Sequence, residues 1–199
     1  MTGNNASLFN SIATVYGWFF MHQLKKFRTL LAADSFPLDL AVYDSAIDVG
    51  CGTGALCRAL TEQGLDIQCV DHAEKMLNVA KNIRGNDHLS FSYGDALVGL
   101  SFPDKTFDLA FATHVAHGLE ADDRSMLYRE LARVAKHYVV LYDFIDSKST
   151  LISFIERLEG SDYQRFIKVA PDELRTFFSE VQILKVGKNS GWYVCKIKD

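Results

Sequence analysis

The stretch "AIDVGCGTGALC", residues 46–57, decides how this chain is read. An apolar run ends in Gly50, Gly52 and Gly54, and "ALCRALTEQ" (55–63) follows with Leu56, Ala59, Leu60 and Gln63 at helical spacing. The pattern predicts a short buried strand, a glycine turn and a helix closed by Gly64. Glycines at such a turn leave backbone N–H groups bare, and the missing Cβ atoms let a ligand approach the chain closely. The segment is built to hold a nucleotide.

Working outward, strands and helices alternate. "LDIQCV" (65–70), "LSFSY" (89–93), "FDLAFA" (107–112) and "YVVLYDF" (138–144) read as strands. "AEKMLNVAK" (73–81) places Ala73, Met76, Leu77 and Ala80 on one helical face. A third helix, capped by Asp122 or Asp123, runs to about Ala135 with Leu127, Leu131 and Val134 inward. This alternation predicts parallel βαβ units with right-handed crossovers. "PDELRTFFSE" then starts a helix with Pro171 in its first turn. "VQILKV" and "WYVCKIK", separated only by "GKNSG", form a hairpin, so the sheet is mixed: five parallel strands, then a reversed pair.

The bulk properties narrow the function. The chain has 199 residues, is 48% hydrophobic and carries a net charge of −4. That length suits one domain around one sizeable core. Lys and Arg are scattered, which excludes the basic footprint of a nucleic-acid binder and favours a small soluble partner. The four cysteines, 51, 57, 69 and 195, match no zinc spacing, so no metal is expected and they read as reduced, buried side chains. "SLFNSIATVYGWFFMHQL" is apolar but broken by Asn10, Ser11, Thr14 and His22. It reads as an amphipathic helix packed on the domain, with no membrane insertion and a cytoplasmic location.

An acid at the end of the second strand can accept both hydroxyls of a ribose, and Asp71 stands there. Gly50, Gly52 and Ala55 with Asp71 also satisfy the dinucleotide pattern, so an NAD-linked oxidoreductase fits these two features. Asp48 inside the first strand, Asp95 after the third and the terminal hairpin favour another ligand.

"DVGCGTG", "VDHAEKML", "FSYGDAL" and "FPDKTFDLAFATHVAHGL" resemble, in order, the motifs of class I S-adenosylmethionine-dependent methyltransferases, strongly over residues 42–145. The resemblance implies an α/β, Rossmann-like, doubly wound seven-stranded mixed sheet of order 3-2-1-4-5-7-6, with strand 7 antiparallel and helices on both faces. It implies S-adenosyl-L-methionine as cofactor, S-adenosyl-L-homocysteine as product and a small-molecule methyl acceptor. Residues 1–199 would form a single domain, with 1–36 as an N-terminal helical lid and 144–170 as a variable segment on the substrate side.

Carried over by position, the resemblance passes Gly50, Cys51, Gly52 and Gly54 beneath the methionyl and ribose parts. Asp48 lies near the ammonium, Asp71 on the ribose, and His72 and Met76 beside the adenine. Asp95 and the Ala96 N–H meet the adenine edge, while the backbone of Ala112 and Thr113 holds the ammonium. Tyr16, in a segment like the entry helix of quinone-pathway C-methyltransferases, reaches the cofactor's carboxylate, although Gly17 replaces that family's Asp. A base is needed only where the acceptor must lose a proton, and His114 is the candidate, with His117 fixing the loop. The "PGG" turn common before strand five is absent, and so is any "NPPY"-like tetrapeptide after strand four. Tyr142 and Asp143 border the pocket. Aromatics in the two variable segments (Phe9, Tyr16, Trp18, Phe19 and Phe20; Phe144, Phe154, Tyr163 and Phe166) would line an apolar acceptor cavity if they converge. A cofactor-binding module without catalysis is the remaining alternative.

Overall fold

A computed structural model describes residues 19–32, 36–146 and 163–198. The expected contacts of Phe9, Tyr16, Trp18 and Phe154 lie outside these residues. Seven strands form one sheet: β1 (Ser45–Val49), β2 (Asp66–Asp71), β3 (Ser90–Tyr93), β4 (Phe107–Thr113), β5 (Ala135–Phe144), β6 (Glu180–Lys185) and β7 (Ser190–Lys196). Their order is 3-2-1-4-5-7-6, as the resemblance implies. Strands β1 to β5 pair in parallel, whereas β7 is antiparallel to both β5 and β6. Only β7 is therefore reversed, and β6 runs with the first five rather than as half of a reversed pair.

The helices are α1 (19–31), α2 (Ala55–Thr61), α3 (Glu74–Lys81), α4 (Ala121–Val134) and α5 (Tyr163–Phe177). Period-two alternation along the strands feeds two cores. Leu109 and Phe111 of β4 face Leu24, Phe27, Leu56 and Leu77 of α1 to α3. Ala110 and Ala112, from the same strand, face Leu127, Leu131, Phe166 and Leu174 of α4 and α5. Helix α1 extends past the expected end at residue 24, and its Phe20, Leu24, Phe27 and Leu31 are at most 6% exposed. Burying such side chains stabilises by roughly 1.5–3 kcal/mol each, so this part of the N-terminal segment is a core element. Gln63 falls beyond α2 and is exposed.

Three local expectations are corrected. Asp122 and Asp123 lie inside the first turn of α4; Glu120 occupies the cap and no side chain closes it. The carboxylates still face the positive end of the helix dipole. β5 begins at Ala135, directly at the end of α4, because apolar strand pairing with Phe107 starts there. Pro171 lies inside α5, not at its start. An interior proline costs about 3 kcal/mol. Phe166, Ala170 and Leu174, all fully buried on one stripe, offset it together with the bidentate Arg124–Glu173 pair (2.8 and 2.6 Å).

The chain crosses from one face of the sheet to the other between β1 and β4. Their ladder ends at Asp48 opposite Phe111, so the carboxyl ends of both strands part there and open the crevice where such sheets bind ligands.

Candidate cofactor and acceptor site

The glycine turn is shaped by its own backbone and by one carboxylate. The Val70 carbonyl accepts from the N–H groups of Gly50 (2.8 Å) and Cys51 (3.0 Å). Asp71, 7% exposed, accepts from Gly52 N–H through Oδ2 and from Ala73 N–H through Oδ1, both at 2.8 Å. Gly50 and Gly52 have φ values of +76° and +55°, which L side chains adopt only with strain. A Cβ at Gly50 would also strike Val115 Cγ2 at 2.5 Å, whereas one at Gly52 meets nothing within 4 Å. Gly50 is thus a packing glycine, and Gly52 lines open space.

The φ at Gly52 alters what a substitution there reports. Gly52→Val would combine blockage with a strain that lowers the melting temperature. Gly52→Ala is the cleaner probe: it should cost about 1–2 kcal/mol of stability and at least tenfold in affinity for S-adenosylhomocysteine. Calorimetry beside a melting curve checks both; unchanged affinity would take the ligand away from this turn.

Asp48 lies at the end of β1, fully buried. Its Oδ2 accepts from Cys57 Sγ at 3.3 Å, and its Oδ1 meets no donor among the described residues. Burial pushes the carboxyl up to about 7; the Cys57 hydrogen bond opposes this and the nearby Asp71 charge adds to it. Burial also pushes the Cys57 thiol well up, so it stays protonated and can donate.

The other expected residues lie at or just beyond the carboxyl ends of β2, β3 and β4, or on α3. His72 is largely exposed with Nδ1 3.8 Å from Asp71 Oδ1. Met76 is half-buried, while Leu77 and Ala80 turn fully into the core. Asp95 Oδ1 accepts from Leu97 N–H (2.9 Å) and so caps the following turn, with Ala96 buried beside it. Ala112 and Thr113 close β4 in register with Leu141 and Tyr142.

His114 follows with φ +54°. Its ring packs edge-on against Tyr142 (5.2 Å) and near Phe144 (5.4 Å). This desolvation lowers its pKa to about 4, against the opposing pull of Asp143 at 3.8 Å. Asp143, 1% exposed, sits 2.8 Å from His117 Nδ1 and also accepts from the N–H groups of His117 (3.3 Å) and Phe144 (2.8 Å). His117 therefore fixes the loop through Asp143. One ligand atom from each of His114, His117 and Asp143 lies within 4.8 Å of the others, a spacing a metal ion could use. The short His117–Asp143 contact already commits two of the three.

Among the described residues, the aromatics expected to line an acceptor cavity do not share a single wall. Phe20 belongs to the α1 side of the sheet and Phe166 to the α5 side. Phe144 alone of the described set stands beside His114, while Phe19 is 45% exposed.

Other residues at the site are identified only by the structure. Buried Asn86 donates Nδ2 to the carbonyls of Thr53 (3.1 Å) and Ala80 (2.9 Å), tying the glycine turn to α3. Gln23 of α1 accepts from Thr53 Oγ1 at 3.3 Å. In the sequence Asn86 stands in "RGNDH", where it reads as an ordinary turn residue, and Gln23 reads as helix surface.

Sheet order, switch-point crevice and acid-buttressed glycine turn define the class I S-adenosylmethionine-dependent methyltransferase fold. A family profile described as "Methyltransferase domain" matches residues 47–142, and with the sheet order this match supports a class I S-adenosylmethionine-dependent methyltransferase. A ubiquinone biosynthesis O-methyltransferase of Rhodopseudomonas palustris is 30% identical over 69 residues, 35% of this chain and 27% of that protein. The chain thus matches about a quarter of that relative's length. A putative S-adenosyl-L-methionine-dependent methyltransferase of Methanococcus maripaludis superposes with TM-score 0.67 at 20% identity, covering 94% of this chain and 92% of that one. Magnesium protoporphyrin IX methyltransferase of Synechocystis PCC 6803, solved with bound S-adenosylhomocysteine, gives 0.58 at 18% identity over 89% and 84%. Among the described residues, no helix is long and apolar enough to cross a membrane.

Proposed function

We propose that this protein transfers a methyl group from S-adenosylmethionine to a small-molecule acceptor. The observation that carries this reading is Asp48: a fully buried carboxyl at the end of β1, one oxygen of which meets no donor among the described residues. Such a group calls for a cationic partner, and the methionyl ammonium is one. Gly52, open to space, admits the ligand close to the backbone. The solved relative with S-adenosylhomocysteine bound shares the fold and supports the same cofactor.

In this reading Asp48 and the backbone of Ala112 and Thr113 hold the ammonium. Asp71 keeps the Gly50–Gly54 turn, with Cys51, beneath the ribose. His72 and Met76 flank the adenine, and Asp95 with the Ala96 N–H meets its edge. Tyr16 reaches the cofactor's carboxylate. Residues 1–36 close one side of the single domain, anchored by α1, and residues 144–170 face the acceptor. The acidic net charge and four free, buried cysteines support a cytoplasmic location.

Bound S-adenosylmethionine supplies a methyl group already activated as a sulfonium. The protein aligns the acceptor in line with that methyl and keeps water out. Where the acceptor carries a proton, His114, neutral at pH 7, takes it on its imidazole, and Asp143 stabilises the resulting cation.

Calorimetry with S-adenosylhomocysteine and NAD, followed by transfer of a labelled methyl group into a metabolite pool, tests the reading. S-adenosylhomocysteine should bind and NAD should not. NAD binding alone would make the protein an oxidoreductase, and cofactor binding without transfer to any pool component would leave a binding module.

A further inference from the structure

A cavity of about 610 Å³ opens between the outer face of α1, the end of β5 and the β6–β7 turn. Its aromatic wall is Tyr142 and Phe144, the two rings that pack on His114. Lys25 and Lys26 of α1 and Lys188 of the turn line it, and none of its lining residues is an Asp or Glu.

The state of these lysines sets the cavity apart. Among the described residues, no carboxylate pairs with Lys25, Lys26 or Lys188; the Lys26 ammonium lies only over the Tyr142 ring, 4.7 Å from its centre. At the opposite end of the sheet a second lysine-lined cavity differs. There three of the four lysines are held, Lys105 by the Ala132 and Ala135 carbonyls, Lys136 by Asp108 and Lys198 by the Thr176 carbonyl, whereas Lys196 has no such partner among the described residues. A protein of net charge −4 thus gathers, in a cavity bordered by Tyr142 and Phe144, three cations that no carboxylate among the described residues pairs. An independent feature lies in the same wall. Asn189 is 6% exposed, yet its Oδ1 meets no partner among the described residues. A buried carboxamide without a partner is destabilising, and a bound polar group would relieve it.

We propose that this cavity seats the anionic group of the methyl acceptor, so that the substrate class is a small aromatic or apolar molecule bearing a carboxylate or phosphate. The ammonium groups of Lys25, Lys26 and Lys188 take the anion, Asn189 takes a polar substituent, and the apolar body lies along Tyr142 and Phe144. The nucleophilic end then points toward His114, where β4 and β5 end side by side. This assignment rests on the methyltransferase reading and names its acceptor.

Matched ligands test it without knowing the natural substrate. 1-Naphthoate, 1-naphthyl phosphate and neutral 1-naphthamide are titrated into the full chain by calorimetry at low salt, with and without saturating S-adenosylhomocysteine. At least one anion should bind ten times more tightly than the amide, and the stronger of the two decides between carboxylate and phosphate. The preference should fall below threefold in Lys26→Gln/Lys188→Gln, whose affinity for S-adenosylhomocysteine stays unchanged. It should also weaken with added salt, since exposed charges are screened within about 8 Å at physiological ionic strength. Equal binding of all three ligands, or a preference that survives the double substitution, overturns the proposal. Absence of S-adenosylhomocysteine binding would instead overturn the methyltransferase reading, while the anion preference of the ligand-free protein would still report on the cavity.

Discussion

Binding of S-adenosylhomocysteine at pH 6 should release close to one proton per protein, and its affinity should rise about tenfold per pH unit until about pH 7. The expectation comes from Asp48. Burial, with Asp71 nearby, raises its carboxyl to about 7, so the ligand-free protein carries a proton there at pH 6. An ammonium set against Oδ1 favours the carboxylate, and the proton leaves as the ligand enters. Above pH 7 the gain ends, and it reverses near pH 8, where the ligand's own amino group begins to lose its proton. Calorimetry in buffers of different ionisation enthalpy measures the release directly. Asp48→Asn should abolish it and weaken binding at pH 7.5 by at least tenfold. Affinity indifferent to pH between 5.5 and 7, with no proton released, would place the ammonium elsewhere. The ligand-free protein carries a linked signature. Unfolded, the carboxyl returns to an ordinary value near 3.8. Its folded value is raised, so its contribution to stability is full below about 3.8, falls as pH rises from there and is gone above about 7.

Asp71→Ala should lower affinity for S-adenosylhomocysteine at least a hundredfold and also lower the melting temperature of the free protein. Both carboxylate oxygens already hold backbone N–H groups, those of Gly52 and Ala73. Hydrogen bonds to a charged group are worth roughly 1.5–3 kcal/mol each, and about 3 kcal/mol corresponds to roughly 6–12 °C in a chain of this size. Asp71→Asn keeps one acceptor and should fall between. Thermal melts with calorimetry separate the two roles. Lost binding with an unmoved melting temperature would confine Asp71 to the ribose. Unchanged binding would remove it from the site.

The βαβ core was legible because a parallel sheet buries both faces of its strands, so "AIDVG" and "YVVLYDF" read as continuous apolar runs whatever surrounds them. The glycine turn and Asp71 were legible for a related reason: few other residues tolerate that backbone. What stayed hidden depends on packing between distant segments. Pro171 signals a helix start by local preference, and only the stripe of Phe166, Ala170 and Leu174 keeps it inside one. Phe20 and Phe166 look alike as aromatics in variable segments, yet the sheet separates them. Asn86 acts on Thr53 from 33 positions away. Lys26 and Lys188 are unremarkable surface charges until α1 and the β6–β7 turn meet over Tyr142.

The position of β7 has a consequence for how the molecule is made. It follows β6 in the chain yet lies between β5 and β6, so β6 has no strand to join until β7 has been synthesised. Until then β5 presents Val139, Val140 and Leu141 along an unpaired edge, the kind that recruits foreign strands. The nucleotide crevice, built from β1, β2 and β4, can take shape well before that edge is closed. A nascent chain would then carry a nearly finished binding site beside an aggregation-prone flank, and early ligand capture could steady the first without protecting the second.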